Sequence, residues 1–324
     1  MKTILVEEHF MSPGFAEGPG HNFVENAKKG GEQEVKALEQ LTDVGKKRIT
    51  AMDEAGIDMQ VLSISSPGVE QLEASEAIGV VREANDFLAD AIQEYPERFA
   101  GFAILPTAAP DKAVEELDLM VHKHGFRGAL INGHIKDRYL DDKCFWPILE
   151  CAEKLDVPIY LHPTPPLKSV KDIYYGGFSP QVTNIFAGAG WGWHIETAVH
   201  VLRLILSGAF DEYPKLQIII GHMGEALPFM LERIDNRMSQ EVTGLKRRTA
   251  DYLRENVYYT FGGFNFTPTF LNLLCEVGAE RIMFSADHPH GSMAKARAFL
   301  EQLPVSPADR ERIAHGNAEH LLKL

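Results

Sequence analysis

The chain has 324 residues, 45% of them hydrophobic and 24% charged, enough for one large α/β barrel or two smaller domains. Its formal charge of −14 excludes the basic surface that phosphate binding needs, so no nucleic-acid partner is expected. No apolar run is long enough to span a bilayer, and acidic residues come too early at the N-terminus for a signal peptide, so no membrane partner is expected either. The three cysteines (Cys144, Cys151 and Cys275) form no CxxC pattern, which argues against a disulfide framework or a thiolate metal site and fits a reducing cytoplasm.

In chain order, the first strand-like run covers 3–9 and ends in Glu7-Glu8-His9. A glycine-rich connection over 11–33 follows, carrying Phe15, His21 and Phe23. A second strand is predicted over 58–64, a helix over 76–94, a third strand over 99–105 and a helix over 111–122. The fourth strand, 128–132, carries no lysine near its end that could be carboxylated to bridge two metals. The fifth, 158–162, ends in His162 and opens a long connection over 163–193 that holds Tyr174, Tyr175, Phe178, Phe186, Trp191 and Trp193. A helix is predicted over 196–210, strands over 216–222, 256–261 and 281–287, and one or two short helices over 307–324.

Eight short apolar runs alternating with helical patterning, with no linker or repeat between them, predict a (β/α)₈ TIM barrel of α/β class, one domain over 1–324. The long connections after strands 1 and 5 are expected to be loops, and their aromatic residues, Phe23 and Trp191 foremost, to cover a flat substrate. The plainer reading, in which these rings pack on the barrel or on another subunit, carries at least equal weight for any single ring.

Four strands end in a side chain able to bind a metal: Glu7 with His9, His162, His222 and Asp287. In a parallel barrel those ends share one rim, where chemistry sits. Alternation puts Glu7 and His9 on one side and turns Glu8 toward the surrounding helices. Each residue has a bland reading: a core polar pair for Glu7 and His9, a hydrogen-bonded core histidine for His162, a cap or turn residue for Asp287. Those readings weaken jointly, because all would have to meet on one rim by accident. Imidazoles and carboxylates without thiolates suit one divalent ion, Zn²⁺ or Mn²⁺. Glu225, three residues after His222, is placed to hold its imidazole; the alternative is a first-turn carboxylate favoured by the helix dipole.

These residues and their surroundings resemble the metal-dependent decarboxylase branch of the amidohydrolase superfamily, which includes the γ-resorcylate, 2,3-dihydroxybenzoate and 5-carboxyvanillate decarboxylases. The resemblance rests on Glu7-Glu8-His9-Phe10, on 48–58, on His162-Pro163, on 196–204 and on 208–216. It continues through Gly221-His222-Met223-Gly224-Glu225-Ala226-Leu227-Pro228 and Phe284-Ser285-Ala286-Asp287. It implies that Glu7, His9, His162 and Asp287 bind the metal, that His222 and Glu225 sit beside the substrate, and that Arg48 reaches it. Arg237 resembles an arginine that crosses a subunit interface, and a homodimer or homotetramer is implied. His288 stands where relatives often have an aromatic residue beside the pocket.

The implied activity is that of a carboxy-lyase: non-oxidative loss of CO₂ from an ortho-hydroxybenzoate, with a proton delivered to the ring carbon and no organic cofactor. Asp287 is the first candidate acid, with His222 its rival. Direction is open, since such reactions run backward in concentrated bicarbonate. The alternative on the same scaffold is a metal-dependent hydrolase of a lactone or amide, or a hydratase of a ring-cleavage product. A metal-stabilised barrel that only binds its ligand is a third reading, against which the His222 and Glu225 pair argues.

Overall fold

All eight apolar runs are strands of one parallel sheet in the computed structural model, which describes all 324 residues. β1 (Ile4–Phe10) pairs with β2 (Met59–Ile64), and β2 with the first half of β3 (Phe99–Gly101). β3 is interrupted at Phe102, resumes as Ala103–Ile104 and pairs with β4 (Ala129–Asn132). The order continues through β5 (Ile159–His162), β6 (Ile218–Ile220), β7 (Val257–Thr260) and β8 (Ile282–Met283). Val6 donates its amide to the Phe284 carbonyl at 3.0 Å and Glu8 bridges to His288, so β8 returns to β1 and the barrel closes.

The strands are short because the residues that matter lie just past the last paired one. His222 and Asp287 leave the ladder with φ of 52° and 61°, a left-handed conformation costly for non-glycine residues. β1 carries the other irregularity. Its register with β2 steps over Glu7, which has φ 156°, so one extra residue is accommodated there as a bulge. Strain and bulge fall on three of the predicted rim residues.

Helices fill the connections. Ala74–Glu94 and Pro110–His124 run close to the predicted spans, the second opened by Pro110 and stopped by the left-handed Gly125. The helix expected over 196–210 starts earlier and splits, as Gly192–Leu206 and Ala209–Glu212, because Gly208 turns left-handed between them (φ 80°). The two long connections are not open loops. The first holds Pro13–Glu17, His21–Lys29 and Glu32–Thr42; the second holds Lys168–Val170, Lys171–Tyr175 and Pro180–Ala187. Ser12 before Pro13 and Ser179 before Pro180 cap two of these helices, the Ser-Pro start signal that glycine content masked.

Large side chains plug the barrel. Phe102 and Tyr160 are fully buried with ring centroids 5.9 Å apart, and cutting either to alanine would cost about 3–5 kcal/mol. Tyr160 lies two residues before His162 on β5, so it shares the inward face and forms the floor beneath it.

Candidate active site

Three side chains converge at the rim. Ligand atoms of His9, His162 and Asp287 all lie within 4.8 Å of one another, and His9 Nε2 is 3.2 Å from Asp287 Oδ1. Each imidazole is aimed by a neighbouring strand end. Asn132, last on β4, places Oδ1 3.0 Å from His162 Nδ1; Ser63, opposite His9 on β2, places its hydroxyl 3.3 Å from His9 Nδ1. With Nδ1 engaged, Nε2 of each ring is left toward the cluster, the orientation a metal-binding histidine takes. β4 ends without a lysine, and Asn132 performs this orienting task there.

Glu7 is not one of the three converging residues, but it lies beside them, wholly buried. Thr260 donates its hydroxyl to Glu7 Oε2 at 2.5 Å, and Tyr160 Oη lies 3.0 Å from Thr260 Oγ1, so a polar chain rises from the floor. Two glycines make room: a Cβ on Gly221 would stand 2.4 Å from Glu7 Oε1, and one on Gly262 2.6 Å from Oε2. Glu7 Oε1 is buried without a hydrogen-bond partner, and His9 Nε2 faces only the Asp287 carboxylate, at 3.2 Å. Buried polar atoms are rarely orphaned; an unpartnered carboxylate oxygen beside two imidazoles and a second carboxylate fits a set of ligands for a divalent cation.

Glu8 is corrected in part. It turns away from the cluster, yet its target is not the helix layer: its oxygens accept the amides of Ala286 and His288, both at 2.9 Å. It thereby clamps the loop that carries Asp287. Burial holds its carboxyl well above the usual carboxylate range.

His222 and Glu225 come together as expected, with Nδ1 2.8 Å from Oε1. His222 Nε2 faces Glu7 Oε1 at 3.7 Å and Asp287 Oδ2 at 3.9 Å. Burial alone would push the His222 imidazole down, but the charges of Glu225 and Glu7 outweigh it and hold it well above its ordinary value. Asp287 is the converse: burial would raise it, and the neighbouring His222 and His9 imidazoles bring it below the carboxylate range. Burial, reinforced by His9 and His222, keeps His162 neutral, the form a metal takes. Burial raises Glu7.

The residues expected to meet the substrate divide. Phe23 stands near the rim, its ring edge-on to His290 at 6.4 Å, and His290 in turn lies 5.9 Å from His9. Phe23, His288 and His290 line a cleft of about 1100 Å³ that opens beside the rim. The His288 side chain is buried, and burial followed by the nearby Arg48 charge lowers it to about 3. Trp191 is 51% exposed; its neighbour Trp193 reaches the site, donating to His194. The Arg48 guanidinium is buried and donates to the carbonyls of Asp43, His9 and Gln40 and to Gln60 Oε1, bracing the end of β1. Arg237 is exposed at the end of helix Leu227–Arg237.

Asn132, Ser63, Thr260, Phe264, His194 and His290 join the site without having been expected there. Asn132 and Thr260 end strands, so the rule that found His162 would have found them had it been applied to every strand. His194 and Phe264 follow no such pattern; both rings pack against His222, at 4.8 and 5.6 Å.

A parallel barrel with buried imidazoles and carboxylates at its carboxyl rim defines a metal-dependent enzyme of the amidohydrolase type. Residues 36–324 match the amidohydrolase family model. The chain is 42% identical over 295 residues to the γ-resorcylate decarboxylase of Polaromonas sp. (strain JS666), covering 88% of this chain and 89% of the relative. A crystal structure of 2,6-dihydroxybenzoate decarboxylase complexed with 2,6-dihydroxybenzoate superposes with a TM-score of 0.90 at 38% identity, covering 100% of both chains. The dihydroxybenzoic acid decarboxylase of Polaromonas sp. JS666, with bound manganese and the inhibitor 2-nitroresorcinol, gives 0.91 at 38% identity, covering 100% of this chain and 97% of that one. The chain belongs to the amidohydrolase family, among its aromatic-acid decarboxylases.

Proposed function

We propose that this protein is a metal-dependent decarboxylase of hydroxylated aromatic acids, acting on an ortho-hydroxybenzoate of the 2,6-dihydroxybenzoate kind. The convergence of His9, His162 and Asp287 beside the orphaned Glu7 oxygen carries the reading from the site itself. Glu7, His9, His162 and Asp287 would hold one divalent ion, Mn²⁺ or Zn²⁺. When bound, that ion supplies charge stabilisation for the phenolate and carboxylate of the substrate and fixes its orientation.

The chain's own residues handle the proton. Glu225 holds His222 as a proton carrier, and His222 Nε2 points between Glu7 and Asp287. Asp287 is ionised at rest, so it would take a proton from His222 and pass it to the ring carbon that bears the carboxylate. The C–C bond then breaks, its electron pair returns to the ring and CO₂ leaves. Each turnover consumes one proton, which His222 replaces. Phe23, edge-on to His290 beside the rim, would supply an apolar flank for the ring. Asp287→Asn abolishes turnover on this reading; a variant with bound metal and a near-wild-type rate would sink it.

A second copy of the chain is part of the proposal. Ile173, Tyr174, Phe178, Ile185 and Phe229 are exposed, several around the second long connection, an apolar surface of the sort that marks a subunit contact. Arg237 stands exposed on the same helix as Phe229. Sedimentation would show a dimer or tetramer, and a monomer at micromolar concentration would refute this part. No helix is long and apolar enough to cross a membrane, and three free cysteines fit a cytoplasmic setting.

A further inference from the structure

Glu225 holds two imidazoles, not one. The first turn of helix Gly192–Leu206 places His194 Nδ1 2.6 Å from Glu225 Oε2, while His222 Nδ1 occupies the other oxygen at 2.8 Å. At its far edge, His194 Nε2 lies 3.1 Å from two groups of opposite character, the indole Nε1 of Trp193 and the carbonyl of Ala189. An indole N–H only donates and needs a bare Nε2; a carbonyl only accepts and needs a protonated one. Each charge state of His194 therefore has a partner in place, and Nδ1–H stays on Glu225 in both. The titratable groups that face His194 are Glu225 and, at a ring separation of 4.8 Å, His222. Phe264, 5.4 Å away, packs against it without charge, and the 187–193 segment offers only neutral partners.

We propose that His194 is a positioning residue for the reaction, a second imidazole that pins one oxygen of Glu225 so that the other stays aimed at His222. Without it the carboxylate is free to turn, and the His222 ring loses the partner that fixes its orientation.

The kinetic arm of the test rests on the decarboxylase reading. In the metal-loaded protein, kcat and KM are compared for wild type, His194→Gln and His194→Ala. Glutamine keeps a donor for Glu225. We expect His194→Ala to lower kcat about tenfold with KM within about twofold, and His194→Gln to recover most of that loss. An alanine variant with wild-type kcat overturns the inference, and so does an equal loss in both variants, the mark of a merely structural role. The second arm needs no substrate: in the metal-free protein the His222 ring resonances should shift in His194→Ala and return in His194→Gln, and resonances unmoved in the alanine variant overturn the inference. Shifted resonances in a protein that decarboxylates nothing support the hold of His194 on Glu225 and refute the decarboxylase reading instead.

Discussion

Replacing Asn132 with alanine should weaken metal binding far more than it weakens the fold. Asn132 Oδ1 lies 3.0 Å from His162 Nδ1 in a buried setting, so it fixes the tautomer that presents Nε2. Without it, the proton is free to sit on Nε2 and compete with the metal. Loss of an orienting partner of this sort costs about 10–100-fold in affinity, or roughly 1.4–2.8 kcal/mol. The fold loses one hydrogen bond, worth about 1 kcal/mol. That loss is offset in part, because Asn132 Nδ2 is buried without a partner and disappears with the substitution. Competition with a chromophoric chelator for Mn²⁺ or Zn²⁺ gives the first quantity, and urea unfolding of the metal-free protein gives the second. Asn132→Asp keeps an acceptor and should hold metal more tightly than Asn132→Ala. An alanine variant with affinity within about twofold of wild type refutes the assignment of Asn132 as the residue that aims His162.

Other perturbations test other parts of the account. Gly221→Ala would drive a methyl to 2.4 Å from Glu7 Oε1; we expect a loss of about 1–3 kcal/mol in urea unfolding and a kcat reduced at least about tenfold, and wild-type kinetics would show that Glu7 is free to move. Arg48→Met removes a buried guanidinium bound to three carbonyls and Gln60, so the expected result is a stability loss of about 3 kcal/mol with KM unchanged in the folded protein. A raised KM at unchanged Tm would return Arg48 to the substrate. Burial raises the Glu70 carboxyl to about 7, so the fold holds that proton where the unfolded chain has released it. Stability should fall by up to about 3 kcal/mol as pH rises from about 4.5 to about 7, and Glu70→Gln should flatten that slope in urea unfolding. Parallel slopes for variant and wild type would contradict it.

The barrel was legible because each strand is a short apolar run, and apolar runs of that length, alternating with helical stripes, leave few other folds. His162 and Asp287 were legible for the same reason: they end such runs. Alternation along β1 assigned Glu7 and His9 to one side and Glu8 to the other although a bulge interrupts the strand. The side-chain parity outlasted the break in register, but nothing local to Glu8 revealed that its partners would be the amides of Ala286 and His288, over 270 residues away in sequence. The partners of Arg48 were hidden for a related reason, since the destination of a buried guanidinium depends on carbonyls from β1 and from the end of helix Glu32–Thr42. The helices inside the two long connections were obscured by glycines, whose turn signals outweighed the Ser-Pro starts at Ser12 and Ser179. His194 reaches Glu225 only because a helix following β5 is laid over the end of β6, a tertiary contact no spacing encodes.

Whether this rim binds a metal and uses it to remove CO₂ from a hydroxylated aromatic acid is decided by quantifying bound metal in the purified protein and following CO₂ release from 2,6-dihydroxybenzoate, with and without chelator. About one divalent ion per chain is expected, with CO₂ release that stops on chelation and returns with added metal. Metal-loaded protein that opens a lactone while releasing no CO₂ from any hydroxybenzoate would contradict it.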